Sequence, residues 1–343
     1  MVSKFRNKLQ YFEARKNSCS FAKKNIVTMA APIFYLAPLQ GFTEFPFRKA
    51  MLAAGAMPTV FVAPFVDAHE YAKGKARRLK DVLPENNSGI TLMPQLLGSN
   101  PEELITLMAW YNELGYSSVS FNLGCPYPMV ALKGSGSGLI AKPEIVKSIL
   151  DKLFTTYPDL KLSVKTRLGY LDSSEIDGLI PVLNQFPLAE VVLHPRIGKQ
   201  LYKGDADLNA FEKVLPLIKA PVCYNGDILT YADYKERSDC FPTVSRWMIG
   251  RGVLQNPLIF NDIAEEKESS LEDKLAALHK LHDALFNHYV AALSGNSHLI
   301  KKMSPFWEYF SLPFPDRRKQ YKKVIKATTA DHYRTAANEF FAQ

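Results

Sequence analysis

The chain has 343 residues, 47% of them hydrophobic, with a net charge of +8 and four cysteines. That length suits one large domain or two, and that apolar share suffices for a sizeable core. No run of about 18 apolar residues occurs, which argues against a membrane span, and Cys19, Cys125, Cys223 and Cys240 have the spacing of neither a zinc site nor a small disulfide scaffold, so a reducing, cytoplasmic setting without a bound metal is expected.

Residues 1–30 carry seven Lys/Arg against Glu13 alone and lack the apolar stretch of a secretory signal. They read as a basic, disordered leader outside the fold. An amphipathic targeting segment and an upstream extension are both open, because Met29 stands just before the first strand.

From Ile33 onward short apolar runs alternate with helical stretches. The strands expected are Ile33–Ala37, Thr59–Ala63, Thr91–Leu96, Ser118–Phe121, Lys161–Thr166, Glu190–His194, Val222–Tyr224 and Arg246–Ile249. Helices fall between them, such as Pro101–Leu114 and Pro143–Phe154. Asn100-Pro101-Glu102-Glu103 has the cap, the first-turn proline and the acids of a helix start. Eight such βα units over residues 31–264 predict a (β/α)8 TIM barrel, with a doubly wound sheet as the alternative.

Past Asn256-Pro257 the pattern becomes helical, with Leu275, Leu278, Leu281 and Leu285 at spacings of three and four. The acidic, Ser-containing stretch Glu265–Asp273 marks the boundary of a small helical domain over residues 265–343. Phe306, Trp307, Tyr309, Phe310 and Tyr321 are expected to form its core. Residues 301–326 hold eight Lys/Arg against Glu308 and Asp316, which points to a polyanion partner. The contacts are expected from Lys301, Lys302, Arg317, Arg318, Lys322 and Lys323; a merely solvated helix face is the alternative.

Most of the strands end in polar or special residues, and in such a barrel the site lies at the C-terminal ends of the strands. These scattered groups should therefore converge on one mouth. Asn122-Leu123-Gly124-Cys125-Pro126 places a cysteine just past a strand in a loop shaped by Gly and Pro, a candidate reactive thiol. Lys165 and Arg167 stand two apart on one strand and so share a face. Two inward cations call for something anionic: either carboxylates of other strands or a ligand such as a flavin. Asn225-Gly226-Asp227 and Gly250-Arg251-Gly252 follow the seventh and eighth strands, where this fold frequently binds phosphate. His194 and Gln95 end two further strands and can hydrogen-bond a ring or a phosphate.

Taken together these segments resemble the tRNA-dihydrouridine synthases, a family of FMN-dependent barrel enzymes. The resemblance is carried by the stretch from Leu36 to Glu44, by Pro94-Gln95-Leu96-Leu97-Gly98, by Asn122 to Pro126 and by Val164-Lys165-Thr166-Arg167-Leu168-Gly169. His194-Pro195-Arg196, Tyr224-Asn225-Gly226-Asp227-Ile228 and Met248-Ile249-Gly250-Arg251-Gly252 continue it in family order, out to about Phe260. It implies FMN held by Pro38, Leu39, Gln40, Gln95, Lys165, His194, Asn225, Gly226, Asp227, Gly250 and Arg251, with Gln40 using its backbone. It implies Asn122 and Arg167 on the target uracil, Cys125 as the acid, and the helical tail on tRNA. The chain departs from the family pattern at Leu39, where Met is usual, and at Pro195, where Gly or Ala is common.

The implied reaction is reduction of a flipped-out tRNA uridine to 5,6-dihydrouridine by a monomeric enzyme. NADPH supplies a hydride through FMN to C6, and Cys125 supplies a proton to C5. A thiol of ordinary pKa, about 8.5, is mostly protonated at neutral pH and suits that role. A flavin dehydrogenase acting on a free pyrimidine, and a non-catalytic RNA-binding protein on the same scaffold, are the competing readings.

Overall fold

A computed structural model describes residues 31–342 other than Met57, so the expected leader over residues 1–30 lies outside the described residues. Ten strands run in parallel: β1 (Ile33–Leu36), β2 (Val60–Val62), β3 (Val66–Asp67), β4 (Leu92–Met93), β5 (Gln95–Leu97), β6 (Ser118–Leu123), β7 (Lys161–Gly169), β8 (Glu190–Ile197), β9 (Val222–Tyr224) and β10 (Arg246–Ile249). Their order is β3-β5-β6-β7-β8-β9-β10-β1-β2-β4. β4 and β5 are one strand interrupted at Pro94, which has no N–H to give the ladder. Around that proline the sheet closes on itself. Ala63 N–H donates to Met93 O at 2.9 Å, and Ser120 N–H donates to Pro94 O at 2.9 Å. With β3 continuing β2 past a short break, eight strands in sequence order form a (β/α)8 barrel, and the doubly wound alternative is excluded.

β7 and β8 outrun the sequence expectation by three residues each, and β6 by two. β7 and β8 stay paired past Arg167 and His194, through a register shift, as far as Gly169 and Ile197. Pro195 reads as a strand end because it cannot donate, yet it lies within β8 and its carbonyl accepts Asp207 N–H at 2.8 Å.

The period of two along each strand stacks the barrel interior in layers. Glu190 lies low in the barrel, accepting from Tyr35 Oη (2.7 Å), Ser163 Oγ (2.9 Å) and Arg246 Nη1 (2.7 Å). One step up, Tyr35, Ala37, Val62, Val192, Cys223 and Met248 pack an apolar plug. Lys165 is in register with Val192, and Val192 with Cys223. One further step carries Arg167, His194 and Asn225 to the mouth. A buried, satisfied base and an apolar plug therefore support a polar, cationic rim.

The helix Pro101–Glu113 starts as its sequence indicates, with Asn100 Oδ1 accepting the N–H groups of Glu102 (2.9 Å) and Glu103 (3.4 Å). Beyond the barrel, helices Leu271–Ala292, Asn296–Phe310, Arg318–Lys326 and Ala330–Phe341 form the tail. Leu275, Leu278, Leu281 and Leu285 are buried, as their spacing predicts. Trp307 Nε1–H donates to Tyr333 Oη at 2.7 Å, and Tyr333 Oη also meets His282 Nε2 at 3.0 Å. Phe306, Trp307 and Phe310 are fully buried, whereas Tyr309 and Tyr321 are half-buried and so only border the core. Phe42, in the loop after β1, meets the rings of Phe306 and Tyr309 edge-on at 5.2 and 5.4 Å. Lys302 Nζ donates to Glu44 Oε2 (2.6 Å) and Gly41 O (3.1 Å) across the same junction.

Three members of the basic cluster have partners within the protein. Lys302 joins tail to barrel, Arg317 Nη1 donates to the carbonyls of Phe340 and Ala342 (the latter at 2.6 Å), and Lys323 pairs with Glu339 at 2.5 Å. Lys301, Arg318 and Lys322 are exposed, without an ion-pair partner among the described residues. Arg318, Lys322 and Lys326 succeed one another at four-residue spacing and form one cationic stripe. No described helix is long and apolar enough to cross a membrane.

Candidate active site

The C-terminal ends of the strands surround an open cavity of about 840 Å³. Thirteen of the fourteen residues expected to form the site line it: Pro38, Leu39, Gln40, Asn122, Cys125, Lys165, Arg167, His194, Asn225, Gly226, Asp227, Gly250 and Arg251. The fourteenth, Gln95, is fully buried behind Asn122 and is not part of the lining.

Asn122 holds the cysteine loop. Its Oδ1 accepts the N–H of Gly124 (3.0 Å) and of Cys125 (2.8 Å), and its Nδ2 donates to Gln95 Oε1 (2.8 Å). Gln95 Nε2 in turn donates to Ser120 Oγ at 2.9 Å. Cys125 O accepts from Ser137 through both N–H (3.1 Å) and Oγ (2.9 Å). Gly136, with φ at +56°, lets these strands of chain come together, since a Cβ there would fall 2.8 Å from Cys125 O. Burial raises the Cys125 thiol above its ordinary pKa, against the lowering influence of Tyr127 N–H, Arg167 and Lys165.

Neither inward cation finds a carboxylate among the described residues. Arg167 donates to main-chain oxygens alone: Nε to Gly124 O (3.1 Å), and Nη1 to Ile197 O (3.0 Å) and Leu201 O (2.9 Å). Its Nη2 makes no hydrogen bond to the described residues. Lys165 Nζ has no hydrogen-bond or ion-pair partner among them either. Burial first, then the nearby Arg167, lowers Lys165 to about 7, and burial also lowers Arg167, to about 10. Ion pairing with carboxylates of other strands, the alternative open from the sequence, is not what the structure contains.

The two phosphate-type loops meet at Asp227, which is more committed than its sequence suggests. Its carboxylate accepts from Arg196 Nη1 (3.0 Å) and Nη2 (2.5 Å), from Arg251 Nη2 (2.5 Å) and from Ala206 N–H (3.1 Å). Burial opposes ionisation, but the Arg196 hydrogen bonds and charge, with Ala206 and Arg251, hold this carboxyl below its ordinary pKa. Asn225 Nδ2 donates to Met248 O at 2.8 Å and ties the first loop to β10. Gly226 cannot be replaced without movement, because a Cβ would lie 2.3 Å from Tyr224 Oη. Gln40 lines the cavity, and its side-chain amide is engaged by the Arg78 guanidinium.

Arg196 and Tyr202 also line the cavity, the first from the His194-Pro195-Arg196 segment, where the sequence assigns it no role, and the second from outside every motif. Arg196 is buried and its guanidinium sits between His194 and Asp227. Tyr202 comes from the loop after β8 and follows Leu201, whose φ of +52° is uncommon for a leucine. The Tyr202 ring lies 4.7 Å from the Arg251 guanidinium and 5.6 Å from that of Arg167. The strain at Leu201, whose carbonyl is the Arg167 acceptor, is the physical mark of this segment; the loop's composition does not announce it.

Four cations (Lys165, Arg167, Arg196 and Arg251) thus stand around one carboxylate, Asp227, beside a protonated thiol. Such a cavity favours an anion of several charges, and its glycine-lined end leaves room for a phosphate.

The sequence model of the family described as Dihydrouridine synthase (Dus) matches residues 35–341. A probable tRNA-dihydrouridine synthase of Staphylococcus epidermidis is 29% identical over 268 residues, which is 76% of this chain and 80% of that protein. Probable tRNA-dihydrouridine synthase 2 of Bacillus subtilis is 28% identical over 316 residues, 90% of this chain and 94% of that one. Among solved structures, the old yellow enzyme from Trypanosoma cruzi aligns with a TM-score of 0.49 at 11% identity, over 70% of this chain and 91% of that one.

Proposed function

Because the chain belongs to the dihydrouridine synthase family, we propose that it reduces a uridine of tRNA to 5,6-dihydrouridine, with FMN at the barrel mouth and NADPH as the reductant. It is an oxidoreductase of that family. A cytoplasmic setting accompanies this reading, since folded tRNA and NADPH are both available there. The observation that carries the cofactor assignment is the pair Lys165 and Arg167, two enclosed cations facing a cavity with no carboxylate of their own.

The residues fit an anionic flavin. Pro38, Leu39, Gln40, Gly226, Gly250 and Arg251 present backbone and one guanidinium around the cavity, and Lys165 and His194 face it from β7 and β8. Asp227 holds the two phosphate-type loops together, Asn225 ties the first of them to β10, and Gln95 acts from behind, through Asn122. When bound, FMN supplies the two-electron carrier between NADPH and the C5=C6 bond of the uracil. Lys165 would hold the group and set a positive charge beside it. The free Nη2 of Arg167 and the remaining Nδ2–H of Asn122 are available to uracil oxygens. Cys125 holds a proton at Sγ and gives it to C5 as charge develops there; its raised pKa keeps the thiol protonated at neutral pH. The base must leave its stack to reach this site, at about a few kcal/mol, which favours uridines in exposed loops. The Arg318, Lys322 and Lys326 stripe supplies phosphate contacts.

Purified protein should be yellow, or become so when FMN is added, and tRNA incubated with it and NADPH should gain two mass units at one uridine. A protein that neither carries nor binds FMN would defeat the reading.

A further inference from the structure

Arg196 stands in the His194-Pro195-Arg196 segment without a role assigned from the sequence, and its side chain is only 2% exposed. Its guanidinium is almost wholly committed. Nη1 lies 3.0 Å from His194 Nε2 and donates to Asp227 Oδ1, while Nη2 donates to Asp227 Oδ2 and to Gly204 O (2.6 Å). Nε is buried with no hydrogen-bond partner among the described residues.

A guanidinium has donors and no acceptor. The contact with His194 therefore works in one sense alone: Nε2 is the acceptor, and the ring proton sits on Nδ1. His194 lines the cavity, and its Nδ1 has no hydrogen-bond partner among the described residues. Its charged form is opposed by burial and by Arg167, Lys165, Arg196 and Arg251, which surround it. The ring is consequently a neutral donor pointed at whatever fills the cavity.

We propose that Arg196 is a positioning residue: it fixes His194 as the neutral Nδ1–H tautomer, so that the ring offers one hydrogen-bond donor to an acceptor atom of the bound flavin. Asp227 completes the device by anchoring the far edge of the Arg196 guanidinium and keeping it in line with the imidazole. The tautomer follows from this chain's own contacts; the identity of the acceptor rests on the FMN reading above.

Nitrogen NMR of full-length protein labelled with ¹⁵N-histidine tests this, with His194 identified by its loss in His194→Asn. Before FMN is added, His194 should show a protonated Nδ1 and a bare Nε2; a charged ring or an Nε2–H tautomer overturns the proposal. On FMN titration the Nδ1 signal should shift. Arg196→Lys, which keeps a single donor, should keep the tautomer. Arg196→Met should release it toward Nε2–H and weaken FMN binding roughly tenfold or more. A merely structural arginine would instead weaken FMN equally in both variants and leave the tautomer where it was. If Arg196→Met does not fold, the wild-type spectrum and the lysine variant still decide. An intact Nδ1–H tautomer in a protein that binds no FMN defeats the flavin reading while leaving the Arg196–His194 assignment standing.

Discussion

Lys165 makes FMN binding depend on pH in a way that can be worked out. In the free site its pKa is lowered from 10.5 to about 7, first by burial and then by Arg167. An anionic ligand beside Nζ stabilises the charged form and lifts that value again. Binding then takes up a proton wherever the free amine is neutral and the bound one charged, that is, above about pH 7. Affinity is therefore fully present below that pH and is lost as pH rises through it. If the bound pKa returns to its ordinary range, the dissociation constant should rise about 100-fold between pH 6 and pH 9, or about 2.7 kcal/mol at 1.36 kcal/mol per unit. The phosphate of FMN titrates near pH 6, so the cleanest window is pH 7.5 to 9. Calorimetry in buffers of different ionisation enthalpy should show close to one proton taken up there. Lys165→Met should bind FMN more weakly at pH 7 and lose both the slope and the proton uptake. A wild-type affinity that stays flat from pH 7.5 to 9, or a slope that survives in Lys165→Met, would refute the assignment of this lysine to the flavin.

Cys125→Ala should keep FMN and its reduction by NADPH, because Cys125 comes from the loop after β6 whereas the phosphate-type loops follow β9 and β10. Its reoxidation by tRNA should slow about 100- to 10,000-fold in rapid-mixing experiments, the usual worth of a general acid; normal reoxidation would assign the proton to another donor. Arg318→Ala with Lys322→Ala should weaken tRNA binding and flatten its salt dependence by about 0.7–0.9 log units per lost phosphate contact, with FMN reduction unchanged. An unaltered slope would make that stripe a solvated surface. Gly136→Ala should lower thermal stability by roughly 1–3 kcal/mol, from the left-handed φ and the clash with Cys125 O, and should impair turnover more than FMN affinity. Equal loss of both would mean that the Cys125 loop and the flavin site move as one body.

Much of this molecule is local, and local order is written in the sequence. The apolar runs between Ile33 and Ile249 fall where β1, β2 and β4 to β10 stand, because a buried parallel strand requires such a run and a short connection to the next helix; the two-residue β3 is not among the strands the sequence predicts. The residues at their C-terminal ends had to meet, because a parallel barrel brings all those ends to one mouth; that topology alone makes neighbours of Cys125 and Arg251. The spacing of Lys165 and Arg167 set their common face for the same reason. Partnership is different, since it depends on register and on what another strand presents across the barrel. Asp227 reads as a ligand residue, yet its carboxylate is taken up by Arg196 and Arg251. Lys302 reads as one more phosphate contact, yet it is paired with Glu44, 258 positions away. Lys165, in contrast, has no carboxylate partner among the described residues. Tyr202 reaches the site because a strained Leu201 turns the chain there. The chain's pattern thus determined which residues reach the mouth. The closed barrel, with the tail packed against the loop after β1, decided which of their charges stay free for a ligand, because a charge is cancelled by the nearest opposite group in space and spacing along the chain does not measure that distance.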